Sequence, residues 1–173
     1  NSSKYDVFAF WDIAIGRTKR SDYNAIVTIA KNRRTGVIYV IDAWAAKVPV
    51  HKAMEVAIEK IIEFRPRQFG VESVQAQYAM FRQLQQRIYE MGIYNSKIVP
   101  IKPTGKEEER IELLEPLFEN GFLKIRTTQR LLKEQLEQFP NADHDDLPDA
   151  LASVVNMTKN RVSRTYQRKP EGL

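Results

Sequence analysis

Asp12 interrupts the most apolar stretch of the chain, FAFWDIAI. A carboxylate in that setting must be hydrogen-bonded, paired with a base or bound to a cation, because an unpaired buried charge is very costly. Glu72 repeats the pattern at the end of FGVES, where parallel strands of an open α/β sheet deliver side chains to a crevice at their carboxyl ends. The third element is DHDDLPDAL, residues 143 to 151, in which Asp145 and Asp146 precede Asp149 by four and three residues. That spacing returns to one face of a helical turn, at a helix N-terminus whose dipole favours ionised carboxylates.

Each acid also has a plainer explanation. Asp12 could face solvent or pair with a base, Glu72 could be a surface residue, and the 143–149 acids could cap a helix. Four acids within seven residues exceed what capping needs. Together they form an oxygen-rich ligand set, without Cys and with only two His, that suits a hard cation such as Mg²⁺ or Mn²⁺. Two such ions about 4 Å apart, bridged by a shared carboxylate, can activate a water and stabilise the leaving oxygen of a phosphodiester displacement. Asp12, on the central strand, is the natural bridging ligand.

The elements that must carry these acids follow from periodicity. YDVFAFWDIAI (5–15) reads as a buried strand, followed by strands AIVTIAK and VIYVIDAW joined through NRRTG, a longer hairpin turn closing on Gly36. Met54, Ala57, Ile58, Ile61 and Ile62 then mark one face of a helix that ends before Pro66,. QFGVES is a short strand, Met80, Leu84, Ile88 and Met91 stripe a second helix stopped by Gly92, and KIVPI is a strand with Pro100 near its edge,. Thr104 and Glu107 have capping-box spacing, predicting a helix to about Asn120 with Pro116 as a kink,. FLKIR is a short strand, a helix covers about 129–138, and a last helix starts at Pro148,. The order βββ-α-β-α-β-α implies an antiparallel meander feeding α/β units, hence a mixed sheet with helices on both faces.

Composition fits one α/β domain. The chain has 173 residues, 43% hydrophobic and 28% charged, with no cysteine; disulfide scaffolds, thiol catalysis and thiolate zinc sites are excluded. The longest uncharged apolar run, Val7 to Trp11, falls far short of the ~20 residues of a membrane span, so no membrane partner is expected. The net charge of +5 is unevenly spread: residues 1–41 hold seven basic and three acidic side chains, residues 42–158 fifteen and eighteen, and residues 159–169 five basic and none acidic. Basicity at both ends makes a nucleic-acid partner plausible, with a solvated surface as the alternative. The expected division is a catalytic domain over 1–158 and a basic, flexible tail over 159–173, the tail supplying salt-sensitive phosphate contacts.

The first-strand Asp in FWDIAIG, the strand-end acid in FGVES and the closing DDLPDAL resemble the nuclease domain of viral (tailed bacteriophage) large terminases, the genome-packaging motor proteins. The resemblance runs from about Tyr5 to Val155 and implies a ribonuclease H-like fold. It implies a divalent-metal-dependent endonuclease with two Mg²⁺ or Mn²⁺ ions, cutting concatemeric double-stranded viral DNA with little sequence preference. Asp12, Glu72 and Asp149 carry over as the acidic metal-binding triad; Asp146 matches a position where some relatives use another ligand, and Asp145 is its rival for that role. Arg17, Lys19, Arg20 and the Lys106–Arg110 pair are candidate DNA contacts, the pair having ion pairing with Glu107 to Glu109 as the alternative. His51 and His144 are expected on the surface, and Trp11 and Trp44 in the core. No GxxxxGK[ST] is present, so the chain looks like the nuclease half of a two-part protein whose partners would be an ATPase domain, the portal and a small terminase subunit, in the bacterial host cytoplasm. A Holliday-junction resolvase or ribonuclease H of the same fold, or a non-catalytic DNA-binding or motor-docking module, are the other readings.

Overall fold

The computed structural model describes residues 4–14, 23–74 and 77–159. The strands are β1 (Tyr5–Asp12), β2 (Asn24–Asn32), β3 (Ile38–Ala46), β4 (Gln68–Glu72), β5 (Lys97–Ile101) and β6 (Leu123–Lys124). The helices are α1 (Val50–Phe64), α2 (Gln77–Glu90), α3 (Glu107–Glu112), α4 (Leu114–Glu119), α5 (Arg130–Gln138) and α6 (Asp146–Lys159). The strands form one mixed sheet in the order β5-β4-β1-β2-β3-β6. β1, β2 and β3 pair antiparallel as the hairpin signals predict, while β4 runs parallel to β1 and β5 parallel to β4. Pro100 sits on edge strand β5, where its missing N–H costs no ladder bond.

Alternation along β1 divides the core. Phe8 and Phe10 join one apolar cluster, with Val27 and Ile29 of β2 and the Leu147–Met157 stretch of α6. Ala9 and Trp11 join the other, against α1 and α2. β1 is therefore covered on both faces, which is why it reads as a continuous apolar run. Gly70 of β4 lets α6 approach: a Cβ there would lie 2.7 Å from the Met157 sulfur and 2.9 Å from the Phe10 ring.

Three local expectations are corrected. The Thr104–Glu107 capping box does not form; Lys106 occupies the N-cap of α3 without a side-chain cap. The single helix to Asn120 is two short ones that meet at Leu113, because Pro116 has no N–H to continue the ladder from the preceding turn. The last helix begins at Asp146 rather than Pro148, with the buried Gln135 side chain of α5 accepting the Leu147 N–H at 3.0 Å.

One buried amide holds the functional end of β1. Asn24 Oδ1 accepts the Trp11 indole N–H and the Ala14 backbone N–H, both at 3.1 Å, and its Nδ2 donates to the Val48 carbonyl at 3.0 Å. Trp11 and Asn24 are both fully buried. Asn24→Ala strands the buried Trp11 donor and unpairs the part-buried Ala14 N–H and Val48 carbonyl, so it should cost about 2–4 kcal/mol in a denaturant titration, whereas Asn32→Ala in the exposed turn should cost less than about 1 kcal/mol.

Candidate active site

Two neighbouring parallel strands end together: Trp11 of β1 pairs with Val71 of β4, so the next residues, Asp12 and Glu72, stand side by side. Their carboxyl groups share a hydrogen bond. α6 packs across β1 and β2 with its first turn directed at the same place. Within DDLPDAL, Leu147, Pro148, Ala150 and Leu151 are buried, while Asp145, Asp146 and Asp149 remain partly accessible. The apolar residues anchor the turn to the core and leave the acids on the cleft side, and the Asp149 N–H closes the turn on the Asp145 carbonyl at 2.9 Å. Asp12, Glu72, Asp145, Asp146 and Asp149 thus line one polar cleft of about 380 Å³, with Tyr23, Gln77, Glu107 and Arg110.

The electrostatics are those of crowded like charges. Asp12 opens to the cleft on one side but is otherwise enclosed; burial, the hydrogen bond to Glu72 and the charges of Glu72, Asp149 and Asp146 hold its carboxyl well above the usual range. Asp149 is raised mainly by burial; the Arg110 guanidinium opposes that shift, and Glu72 and Asp145 add to it. Glu107 lies at the exposed rim with its carboxyl turned toward Asp145, and burial, that hydrogen bond and the Asp149 and Asp145 charges push it up to about 8. Protons substitute here for missing positive charge.

Arg110 is the internal cation. Its Nη2 donates to Asp149 Oδ1 at 3.0 Å, and Nη1 donates to the carbonyls of Gly105 at 2.9 Å and Thr104 at 3.4 Å. The expected alternative, pairing with Glu107 to Glu109, is replaced by this bridge from α3 to α6. Among the described residues no group of three acidic or imidazole side chains is arranged to hold a metal ion as it stands. The donor set nevertheless fits a hard divalent cation: oxygen ligands only, several too close to be ionised together without positive charge.

The other expected residues are distributed as follows. Lys106 is exposed at the α3 N-cap, and Arg17, Lys19, Arg20 and residues 160–173 lie outside the described residues. Asp143 and His51 are exposed. His144 stands 3.9 Å from Asp146 Oδ2, its ring edge-on to Tyr23. Trp11 is buried and Trp44 packs partly buried against the same cluster. Sequence reasoning missed Glu107 as a cleft residue, reading it as the capping-box partner of Thr104 and a candidate ion-pair partner of Lys106 and Arg110; its i, i+3 relation to Arg110 was the available signal,.

Comparisons with known proteins agree on the architecture. The chain superposes on the nuclease domain of the phage P22 large terminase with a TM-score of 0.64, at 15% identity, over 90% of this chain and 82% of that one. It superposes on the large terminase nuclease domain of bacteriophage SPP1 with bound Mn at a TM-score of 0.59, with 16% identity over 91% and 89% of the two chains. For the fowlpox virus Holliday junction resolvase the TM-score is 0.62, with 12% identity over 89% and 98%. At these identities the likeness is one of fold, and no protein of curated function matches the chain. The family model of the terminase RNase H-like domain matches residues 9–158, a span that runs from within β1 to the end of α6. The chain belongs to the terminase RNase H-like domain family, with the nuclease fold of the RNase H-like superfamily.

Proposed function

We propose that this chain is a divalent-metal-dependent endonuclease that cuts double-stranded DNA during viral genome packaging, with little sequence preference. The observation that carries the reading is the convergence of Asp12, Glu72, Asp146 and Asp149 in one cleft, where burial and the neighbouring carboxyls disfavour the charge on Asp12 unless positive charge arrives. The Mn bound by the SPP1 domain supports the choice of cation. A DNA-processing partnership with an ATPase domain, the portal and a small terminase subunit, in the host cytoplasm, belongs to the same proposal.

Asp12, Glu72, Asp146 and Asp149 would hold two ions, with Asp145 as the alternative to Asp146. The ions would supply the activation of a water and the stabilisation of the leaving oxygen. The chain's own residues do the rest. Asp12 and Asp149, whose burial disfavours their charge, would have to be ionised to hold the ions,. Arg110, held to the Gly105 and Thr104 carbonyls, keeps positive charge at the cleft wall beside a phosphodiester,. Glu107 at the rim, beside Asp145 and Asp149, adds a further carboxyl to the cleft.

The direct test is incubation of the purified chain with supercoiled plasmid, with Mn²⁺, Mg²⁺ or EDTA, beside a four-way junction and an RNA–DNA hybrid. Metal-dependent nicking and linearisation are expected; preference for the junction or the hybrid would replace the packaging reading by a resolvase or ribonuclease H. Asp12→Asn should abolish plasmid cleavage and raise the stability of the metal-free protein, because a neutral amide removes the repulsion. Asp143→Asn should cleave like the parent. Asp146→Ala should lose more activity than Asp145→Ala, and the reverse order would exchange their roles.

The raised carboxyls also set a pH dependence. The folded state keeps protons on Asp12, Asp149 and Glu107 where the unfolded chain has lost them, so it binds more protons across that window. Stability of the metal-free protein should therefore fall as pH rises from the ordinary carboxylate range, about 4, toward about 8,. Denaturant midpoints at pH 5 and pH 8 in EDTA measure the fall, and saturating Mn²⁺ should remove most of it. A metal-free midpoint that rises over this window would contradict the electrostatic account of the cleft.

A further inference from the structure

The sheet has a second charged end. β1 runs eight residues from Tyr5 to Asp12, which separates its two ends by about 25 Å. At the end away from the acids, Lys4, Arg33, Arg34, Arg65, Arg67 and Lys97 are all exposed. Backbone bonds set them side by side: the Arg33 N–H donates to the Lys4 carbonyl at 2.9 Å, the Arg67 N–H to Val7 at 2.8 Å, and the Lys97 N–H to Arg67 at 3.1 Å. The row crosses the ends of β5, β4, β1 and β2, four adjacent strands, hence about 14 Å of backbone.

The segments that make this end, residues 4–6, 32–36, 65–68 and 96–97, contain one acid, Asp6. Its side chain is 4% exposed and holds two guanidiniums: Arg33 Nη2 at 3.0 Å and Arg67 Nη1 at 3.6 Å, each arginine about half exposed. A buried carboxylate thus orients two arginines at the middle of the row and leaves the group net positive. The last turn of α6 reaches this end, where Lys31 near the foot of β2 donates to Thr158 Oγ1 at 3.5 Å.

We propose that this row is a second DNA-binding surface that takes the phosphate backbone of duplex DNA without base preference. Because it faces away from the cleft, the DNA it holds is a different segment from the one at the acids. The chemistry favours a phosphate backbone over an acidic protein. Protein interfaces are depleted of charge at their centre, whereas here guanidiniums hold the centre; of the exposed aromatics, Tyr5 stands beside Lys4 with its ring edge-on to Tyr39, and Tyr89 of α2 pairs with Tyr94. Guanidinium forks held in fixed orientation suit phosphate oxygens.

The test is duplex binding by the 173-residue chain in EDTA, which removes cleavage from the measurement, followed by fluorescence anisotropy over a range of salt. Lys4→Gln, Arg34→Gln, Arg65→Gln and Lys97→Gln combined spare the Asp6 arginines. This variant should lose about tenfold or more in affinity at low salt, and about 3 in the log–log salt slope, for unrelated sequences alike. A charge-matched variant on the helices, Lys52→Gln, Arg82→Gln, Arg130→Gln and Lys133→Gln, should keep the slope within about 1. Circular dichroism checks that both are folded, and Arg34→Glu alone, in an exposed turn, should shift binding in the same direction. Unchanged binding by the row variant overturns the proposal and leaves an acidic protein as the partner the charge fits. An equal loss in the helix variant overturns it as well, by reducing the effect to net charge.

Discussion

Asp12 cannot be ionised comfortably where the fold puts it. It ends a strand covered on both faces, beside Glu72 and within reach of the Asp146 and Asp149 charges. Everything at that end of the molecule responds to this crowding. Carboxyls hold protons above their ordinary range, Asp12 shares a hydrogen bond with Glu72, and Arg110 reaches from α3 to Asp149. The stress is maintained because the apolar burial that creates it is larger: Phe8, Phe10, Trp11, Leu147 and Leu151 are each at most 2% exposed, and each contributes about 1.5–3 kcal/mol on burial.

The same packing explains why the site is assembled from distant parts of the chain. β1 and β4 are parallel neighbours, so their carboxyl ends coincide. α6 lies against β1 and β2, and Gly70 lets its Met157 come close to the sheet. Asn24, at the start of β2, holds Trp11 and Ala14 at the end of β1, and Gln135 of α5 accepts the Leu147 N–H in the first turn of α6. These buried amides have a common effect. They satisfy backbone or indole donors beside the acids.

Charge is separated along the strands. One end of the sheet gathers six acids and one arginine around a cleft, while the other gathers six exposed bases around one buried acid. A net charge of +5 conceals this. By charge alone, a polyanion is disfavoured at the acid end and favoured at the other.

Much of this was legible in the order of residues. The meander, the α/β units, the two-sided burial of β1 and the three acidic segments follow from hydrophobic period and from carboxylates placed where apolar residues should be. Those are local signals, and the core cannot be packed without obeying them. Partnerships across the sheet were not legible. That Arg110 would meet Asp149 rather than its glutamate neighbours, that Glu107 would face Asp145, that Pro116 would follow a full break at Leu113, and that Lys4, Arg33, Arg67 and Lys97 would form one row depend on strand order and on how helices cross it. Sequence determines which face of each element is apolar, because water acts on every residue separately. Only the tertiary structure decides which charges become neighbours, because that follows from the register between elements far apart in the chain.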